Sequence, residues 1–213
     1  GGPGQDCDEC IDYTFYNLTD IFVPALLNEV LTLTGKDDLQ YVGFSNGCRS
    51  ALDSLERNQF DSNKIETFVA VGCPGAFEGN STFGNIIKAS NGQVTSRIAS
   101  RNLNHLTRFD LALPGLFNID YLSQNKEPKV SLNLFKFYED AILNNNDNQP
   151  GNVNFDNFII IQGNAFDTED GIVTTLDESK IYQNANTNLN PKKHLAVFAI
   201  HSSLDNKPRT KSI

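Results

Sequence analysis

The stretch "QYVGFSNGCRSALDSLE", residues 40–56, decides how the rest of the chain is read. An apolar run of Tyr41, Val42, Gly43 and Phe44 leads into Ser45, and a helix-like pattern follows at once. The pattern predicts a strand over about 39–44 and a helix over about 46–57. Gly43-Phe44-Ser45-Asn46-Gly47 fits G-x-S-x-G between them, the sequence of a strand-to-helix turn that lifts a serine hydroxyl above the strand ends. Such a turn strains the serine backbone, and glycines two residues before and after are expected to remove clashes. The N-terminus of the following helix favours negative charge beneath the hydroxyl. The N–H of Asn46 is the candidate donor to an oxyanion. The bland alternative is a strand–helix turn with an incidental serine.

Working outward, the pattern alternates strand and helix. Residues 17–34, "NLTDIFVPALLNEVLTLT", predict an amphipathic helix with Leu18, Phe22, Leu26 and Val30 on one face. Thr19 or Asp20 is its expected cap, Pro24 falls near its first turn, and Gly35 is its expected stop. A strand is predicted at 65–72, "IETFVAVG". After an irregular stretch come a helix at 130–143, a polar connection at 144–152 and a strand at 157–163, "NFIIIQG". The last of these reads as apolar on both faces. A helix at about 176–184 and a final strand at 195–200 complete the chain. The alternation implies an α/β fold, a mostly parallel sheet flanked by helices.

A serine in such a turn needs a base and an acid, in the chain order Ser, Asp, His. The chain has three histidines. His201 follows the final strand, at the strand end where open α/β folds place their chemistry. His194 precedes that strand and is expected at the opposite edge. His105 lies in the irregular stretch. The acid is expected after the preceding strand, where the loop offers Asp167, Glu169 and Asp170. Asp170 is chosen because Asp-Gly-Ile-Val puts an acid on a tight turn anchored by apolar residues. Asp167 is held in reserve.

Four short motifs now stand in order: GFSNG, "VAVGCPGAFEG", DGIV and "FAIHSSL". Together, over about residues 17–205, they resemble the α/β-hydrolase superfamily, and most of all its lipase- and esterase-like members. The resemblance implies Ser45 as nucleophile, His201 as general base and acid, and Asp170 as the carboxylate that orients the histidine. It implies no cofactor and no metal. It makes residues 1–73 and 151–213 the hydrolase core and 74–150 a helical cap or lid insertion. "FDLALPGLFNIDYL", 109–122, is apolar enough to cover a site and meet acyl chains; the alternative is that its leucines simply pack the cap onto the body. The expected substrate is a small-molecule or lipid ester. Two alternatives stay open: an inactive hydrolase-like binding or assembly module, and a triad hydrolase of peptides or thioesters.

The chain departs from that family at its front. Only 44 residues precede Ser45, and 18 of them, 17–34, are read as one helix. The strand feeding Ser45 is therefore expected to be an exposed apolar edge. An N-terminal segment or a second chain is expected to complete the sheet. Gly1-Gly2-Pro3-Gly4 resembles the tail of an oxyanion loop of the HGGPG type, although no strand pattern follows it.

Bulk composition narrows the partners. The 213 residues suit one domain, and a formal net charge of -9 disfavours nucleic acid and polybasic membrane binding. No run of about 18 apolar residues spans a membrane. Of four cysteines, Cys7 and Cys10 form a lone CxxC, a weak zinc signal. Cys48 and Cys73 read as small core residues. A disulfide among the four is open, its pairing undetermined. Asn17-Leu18-Thr19 and Asn80-Ser81-Thr82 match the glycosylation sequon. The compartment stays unassigned, with secretion or the cell envelope preferred.

Overall fold

A computed structural model describes residues 13–77, 80–91, 93, 105–106, 130–144 and 150–204. Cys7, Cys10, Gly1–Gly4, the apolar run 109–122 and most of the expected cap lie outside these residues.

In chain order the strands are β1 (Leu39–Phe44), β2 (Ile65–Val71), β3 (His105–Leu106), β4 (Val130–Ser131), β5 (Asn154–Phe155), β6 (Asn157–Gly163), β7 (Asn186–Thr187) and β8 (Lys193–Val197). The helices are α1 (Phe15–Asn17), α2 (Val23–Thr34), α3 (Asn46–Glu56), α4 (Thr82–Ala89), α5 (Leu132–Asn144), α6 (Thr175–Asn184) and α7 (His201–Leu204). The main sheet has four strands in the order β1-β2-β6-β8, every neighbouring pair parallel. Parallel pairing sends all four C-terminal ends to one rim. The loops that leave those ends carry Ser45, Gly72, Asp170 and His201.

The core is aromatic and aliphatic. Ala51, Leu52 and Leu55 of α3 pack with Phe68 and Ala70 of β2, Phe158 and Ile160 of β6, and Ile181 of α6, all essentially buried. The rings of Phe68, Phe155 and Phe158 lie 5.0–6.0 Å apart. Each such side chain taken from water contributes about 1.5–3 kcal/mol. This packing holds α3, which begins just after Ser45, rigidly on the sheet.

Several elements differ from expectation. The first helix begins earlier, with Thr14 as its cap in a reciprocal pair with Asn17. It passes through a π-helical stretch, Leu18–Phe22, before α2. Pro24, the second residue of α2, has no N–H to give, and a shift of hydrogen-bond register just ahead of it accommodates that loss. Gly35 does stop the helix, at φ 63°. The helix also turns a different face inward. Leu27, Pro24 and Thr19 are buried, whereas Phe22, Leu26 and Val30 are exposed. Apolar residues cover about half of α2, opposite Asn28, Glu29 and Thr32, so four-residue spacing alone could not choose which part of that broad face turns inward.

The final strand is Lys193–Val197, two residues earlier than its expected start, and His194 lies within it rather than before it. β6 alternates: Phe158, Ile160 and Gln162 are buried, while Ile159 and Ile161 are half-buried. Its apolar run marks one fully covered face, not two. β1 is an edge of the described sheet, and Val42 on it is 68% exposed. No helix among the described residues is long and apolar enough to cross a membrane.

Candidate active site

Ser45 stands at the junction of β1 and α3 with φ 51° and ψ −122°. Left-handed φ is unfavourable for a residue with a Cβ, and surrounding contacts must hold it there. Its N–H donates to the Val71 carbonyl at 2.9 Å, carrying the β1–β2 pairing one residue past the strand. Its carbonyl accepts the Arg49 N–H at 3.0 Å and opens the helix. The two flanking glycines are not equivalent. A Cβ at Gly43 would lie 2.6 Å from Cys48 Cα and 2.8 Å from its nitrogen, so only glycine lets the helix fold back over the strand. A Cβ at Gly47 would meet nothing nearer than the Tyr41 hydroxyl at 4.0 Å. The second glycine is therefore not required to relieve a clash.

The structure brings Ser45, His201 and Asp170 into one hydrogen-bonded chain. His201 Nε2 is 2.8 Å from Ser45 Oγ, and His201 Nδ1 is 2.6 Å from Asp170 Oδ2. A carboxylate at Nδ1 accepts that ring proton, which leaves Nε2 to accept from the serine hydroxyl. Asp170 is wholly buried and His201 nearly so. The other carboxylate oxygen of Asp170 accepts the N–H groups of Ile172 and Val173 at 2.9 and 2.8 Å. The Asp170 carbonyl accepts the His201 N–H at 2.8 Å. Side chain and backbone of Asp170 thus both hold the histidine. Val173 is buried and Gly171 adopts φ 102°, so the turn is anchored as the Asp-Gly-Ile-Val pattern suggested.

The other titratable candidates lie elsewhere. Asp167 is exposed in the preceding turn. Glu169 is occupied by Thr82, whose N–H and hydroxyl donate to it at 2.5 and 2.7 Å. His194 faces Gln162 across the sheet at 2.5 Å, and burial pushes its pKa down. His105 falls on β3.

Two glycines make room at this site, Gly72 for the imidazole and Gly163 for Asp170 and the segment leading to His201, and the sequence reading assigned neither that role. A Cβ at Gly72, which has φ 53°, would sit 3.2 Å from the His201 ring. A Cβ at Gly163 would sit 2.8 Å from Asp170 Cβ and 2.6 Å from the Ala199 carbonyl. Their signal was available: each closes a strand that delivers chemistry to the rim.

The turn after β2 is braced from below. Cys48 and Cys73 form a buried disulfide that ties the first turn of α3 to this turn. Cys73 N–H donates to Glu178 Oε1 at 3.1 Å, and Gly75 N–H donates to Asp177 Oδ2 at 2.6 Å. The wholly buried Arg49 donates to the Gly75 carbonyl and to Asp53, the latter at 3.0 Å. Its guanidinium carbon lies 5.7 Å from the Phe15 ring and 6.0 Å from that of Phe137. Glu178 Oε2 is buried and has no hydrogen-bond partner among the described residues. Burial, chiefly, and then the charge of Asp170 push the Glu178 carboxyl well above its usual range; Asp177 adds to this and the Cys73 N–H opposes it.

A cavity of about 270 Å³ opens beside Ser45. Pro74, Phe77, Phe83, Leu134, Phe135 and Ile172 give it apolar walls. Ser45, Asn46, Tyr13 and Tyr138 also line it. The Tyr138 hydroxyl, from α5, donates to Asn46 Oδ1. Among the described residues no group of His, Cys, Asp and Glu side chains could hold a metal ion.

This sheet order, with its serine turn at the parallel rim, is the α/β-hydrolase fold, and comparison with solved structures agrees. The chain is similar to a monoacylglycerol lipase from Paleococcus ferrophilus, with a TM-score of 0.53 and 15% identity over 87% of this chain and 68% of that one. It is similar to a soluble variant of monoglyceride lipase from Saccharomyces cerevisiae, solved with a substrate analogue, with a TM-score of 0.58 and 16% identity over 94% of this chain and 65% of that one. An esterase from Exiguobacterium antarcticum gives a TM-score of 0.54 and 12% identity over 90% and 70%. The chain thus spans about two-thirds of the length of these proteins. No protein-family model and no curated protein sequence matches it.

Proposed function

We propose that this chain is a serine hydrolase of carboxylic esters, with lipid-like acyl esters as its substrates. The observation that carries the reading is the unbroken chain Ser45–His201–Asp170, with spacings of 2.8 and 2.6 Å, at the mouth of an apolar cavity. The fold neighbours support ester hydrolysis as the general chemistry.

In this reading Ser45 Oγ attacks the ester carbonyl while its proton passes to His201 Nε2. Asp170, fixed by two backbone N–H groups, stabilises the imidazolium and keeps Nδ1 protonated. The N–H of Asn46, at the N-terminus of α3, donates to the oxyanion. Collapse of the tetrahedral species breaks the C–O bond, and the imidazolium proton goes to the departing alcohol. Water then attacks the acyl-enzyme by the same steps in reverse roles. The apolar walls receive the acyl chain. The stretch 74–150, to which α4 and α5 belong, is the cap in this proposal.

Ser45→Ala tests the mechanism. Turnover of a p-nitrophenyl ester should fall by roughly 10⁴-fold or more, with the melting temperature nearly unchanged. A fluorophosphonate should label the unmutated protein at Ser45 only. Normal hydrolysis by the alanine variant refutes the assignment, and failure to label the unmutated protein favours an inactive module.

A further inference from the structure

We infer that Tyr138 is a positioning residue for the oxyanion site, acting through the side chain of Asn46; the inference rests on Ser45 being the nucleophile. Asn46 is the first residue of α3 and the residue just after Ser45. Its N–H is the oxyanion donor of the proposed mechanism, yet its side chain brings an acceptor, Oδ1, to the same place. An asparagine side chain can turn that oxygen onto neighbouring backbone N–H groups. There it would compete with an oxyanion for donors and set a partial negative charge against the developing one. Tyr138 restrains that oxygen, because its hydroxyl donates to Asn46 Oδ1 and holds it toward α5.

The tyrosine is well held for this task. Its ring makes edge-on contacts with Phe15, Phe77 and Phe137, at centroid distances of 6.0, 5.6 and 5.3 Å. Aromatic packing fixes the ring, so the hydroxyl has little freedom to leave its acceptor. Tyr138 also lines the cavity beside Ser45. The position of α5 and the readiness of the oxyanion site are thereby linked through one hydrogen bond.

The experiment is a double-mutant cycle on the full chain with Tyr138→Phe and Asn46→Ala. The first change removes only the hydroxyl; the second removes Oδ1 and keeps the backbone N–H. A neutral hydrogen bond of ordinary net worth corresponds to about a three- to tenfold effect. Tyr138→Phe should therefore lower kcat on a p-nitrophenyl ester, and the rate of fluorophosphonate labelling, by about that factor. KM should stay within about twofold, because ground-state carbonyl binding does not use the site fully. In the Asn46→Ala background, Tyr138→Phe should add nothing, since there is no longer an oxygen to restrain. A role confined to packing would instead lower stability and leave the two changes independent. Wild-type kcat in Tyr138→Phe, or an equal fall in both backgrounds, overturns the inference while Ser45 remains labelled. An unmutated protein that takes no label overturns this inference and the proposed function together.

Discussion

Replacing Gly163 by alanine adds one methyl group and should disable the site with Ser45, His201 and Asp170 all left unmutated. The new Cβ would lie 2.6 Å from the Ala199 carbonyl oxygen, about 0.8 Å inside the ordinary contact range that begins at 3.4 Å. It would lie 2.8 Å from Asp170 Cβ as well. Ala199 lies two residues ahead of His201, so relief of the first contact moves His201 and relief of the second moves Asp170. A misplacement near 1 Å costs on the order of 100-fold in rate. Overpacking of this kind costs about 1–3 kcal/mol of stability. The fall in kcat should therefore approach 100-fold, with unfolding in urea displaced only modestly. Gly47→Ala is the matched control, because its Cβ would find open space and the position is helical. That variant should keep its rate and gain up to about 1 kcal/mol from helix propensity. Ester hydrolysis and urea titration of both variants decide the matter. Full activity in Gly163→Ala, or an inactive but folded Gly47→Ala, would refute the steric reasoning.

Glu178 should make stability depend on pH. Its folded-state pKa is raised, so the stability it contributes is complete below about pH 4.3 and is lost as pH rises through the folded value. The loss is at most about 1.4 kcal/mol per pH unit over that window. Glu178→Gln should flatten the slope in urea titrations between pH 4 and 8, and an unchanged slope would show that the group is not the source. Reduction of the Cys48–Cys73 link should also be visible. It closes a sequence separation of 25 residues, for which chain entropy gives about 3.5 kcal/mol. Thermal melts with and without dithiothreitol, after equilibration in denaturant, should differ by several degrees, and coincident melts would contradict the bond's placement.

Much of the rim was legible because its elements follow local rules. An apolar run ending in small residues and followed at once by helical spacing marks β1, Ser45 and α3 within a residue. The acid loop and the histidine were readable from position, since both follow strands that must end at the same rim. Other features depend on relations that no local pattern encodes. The inner face of α2 is decided by what it packs against, since its apolar face is broader than the strip that becomes buried. The early start of β8 reflects pairing of Lys193 and His194 with Ile159 and Ile160, in a segment whose own residues look polar. Tyr138 lies 92 positions from Asn46, and nothing near either residue announces the other. The steric need at Gly43 and its absence at Gly47 follow from how the helix returns over the strand, which a symmetrical pentapeptide conceals.

The guanidinium of Arg49 bears on whether this serine turn could be transplanted. A guanidinium is a cation, and this one is wholly buried. Its acceptors come from the same helix and from Gly75, and the rings beside it come from Phe15 and Phe137. A graft moving only residues 39–56 to a foreign scaffold would carry the cation and leave the Gly75 carbonyl and both rings behind. Stripping a buried ion of partners costs about 3–5 kcal/mol, a large share of what a domain this size has to spare. The segment is bound to its own surroundings by a charge that takes no part in the proposed chemistry.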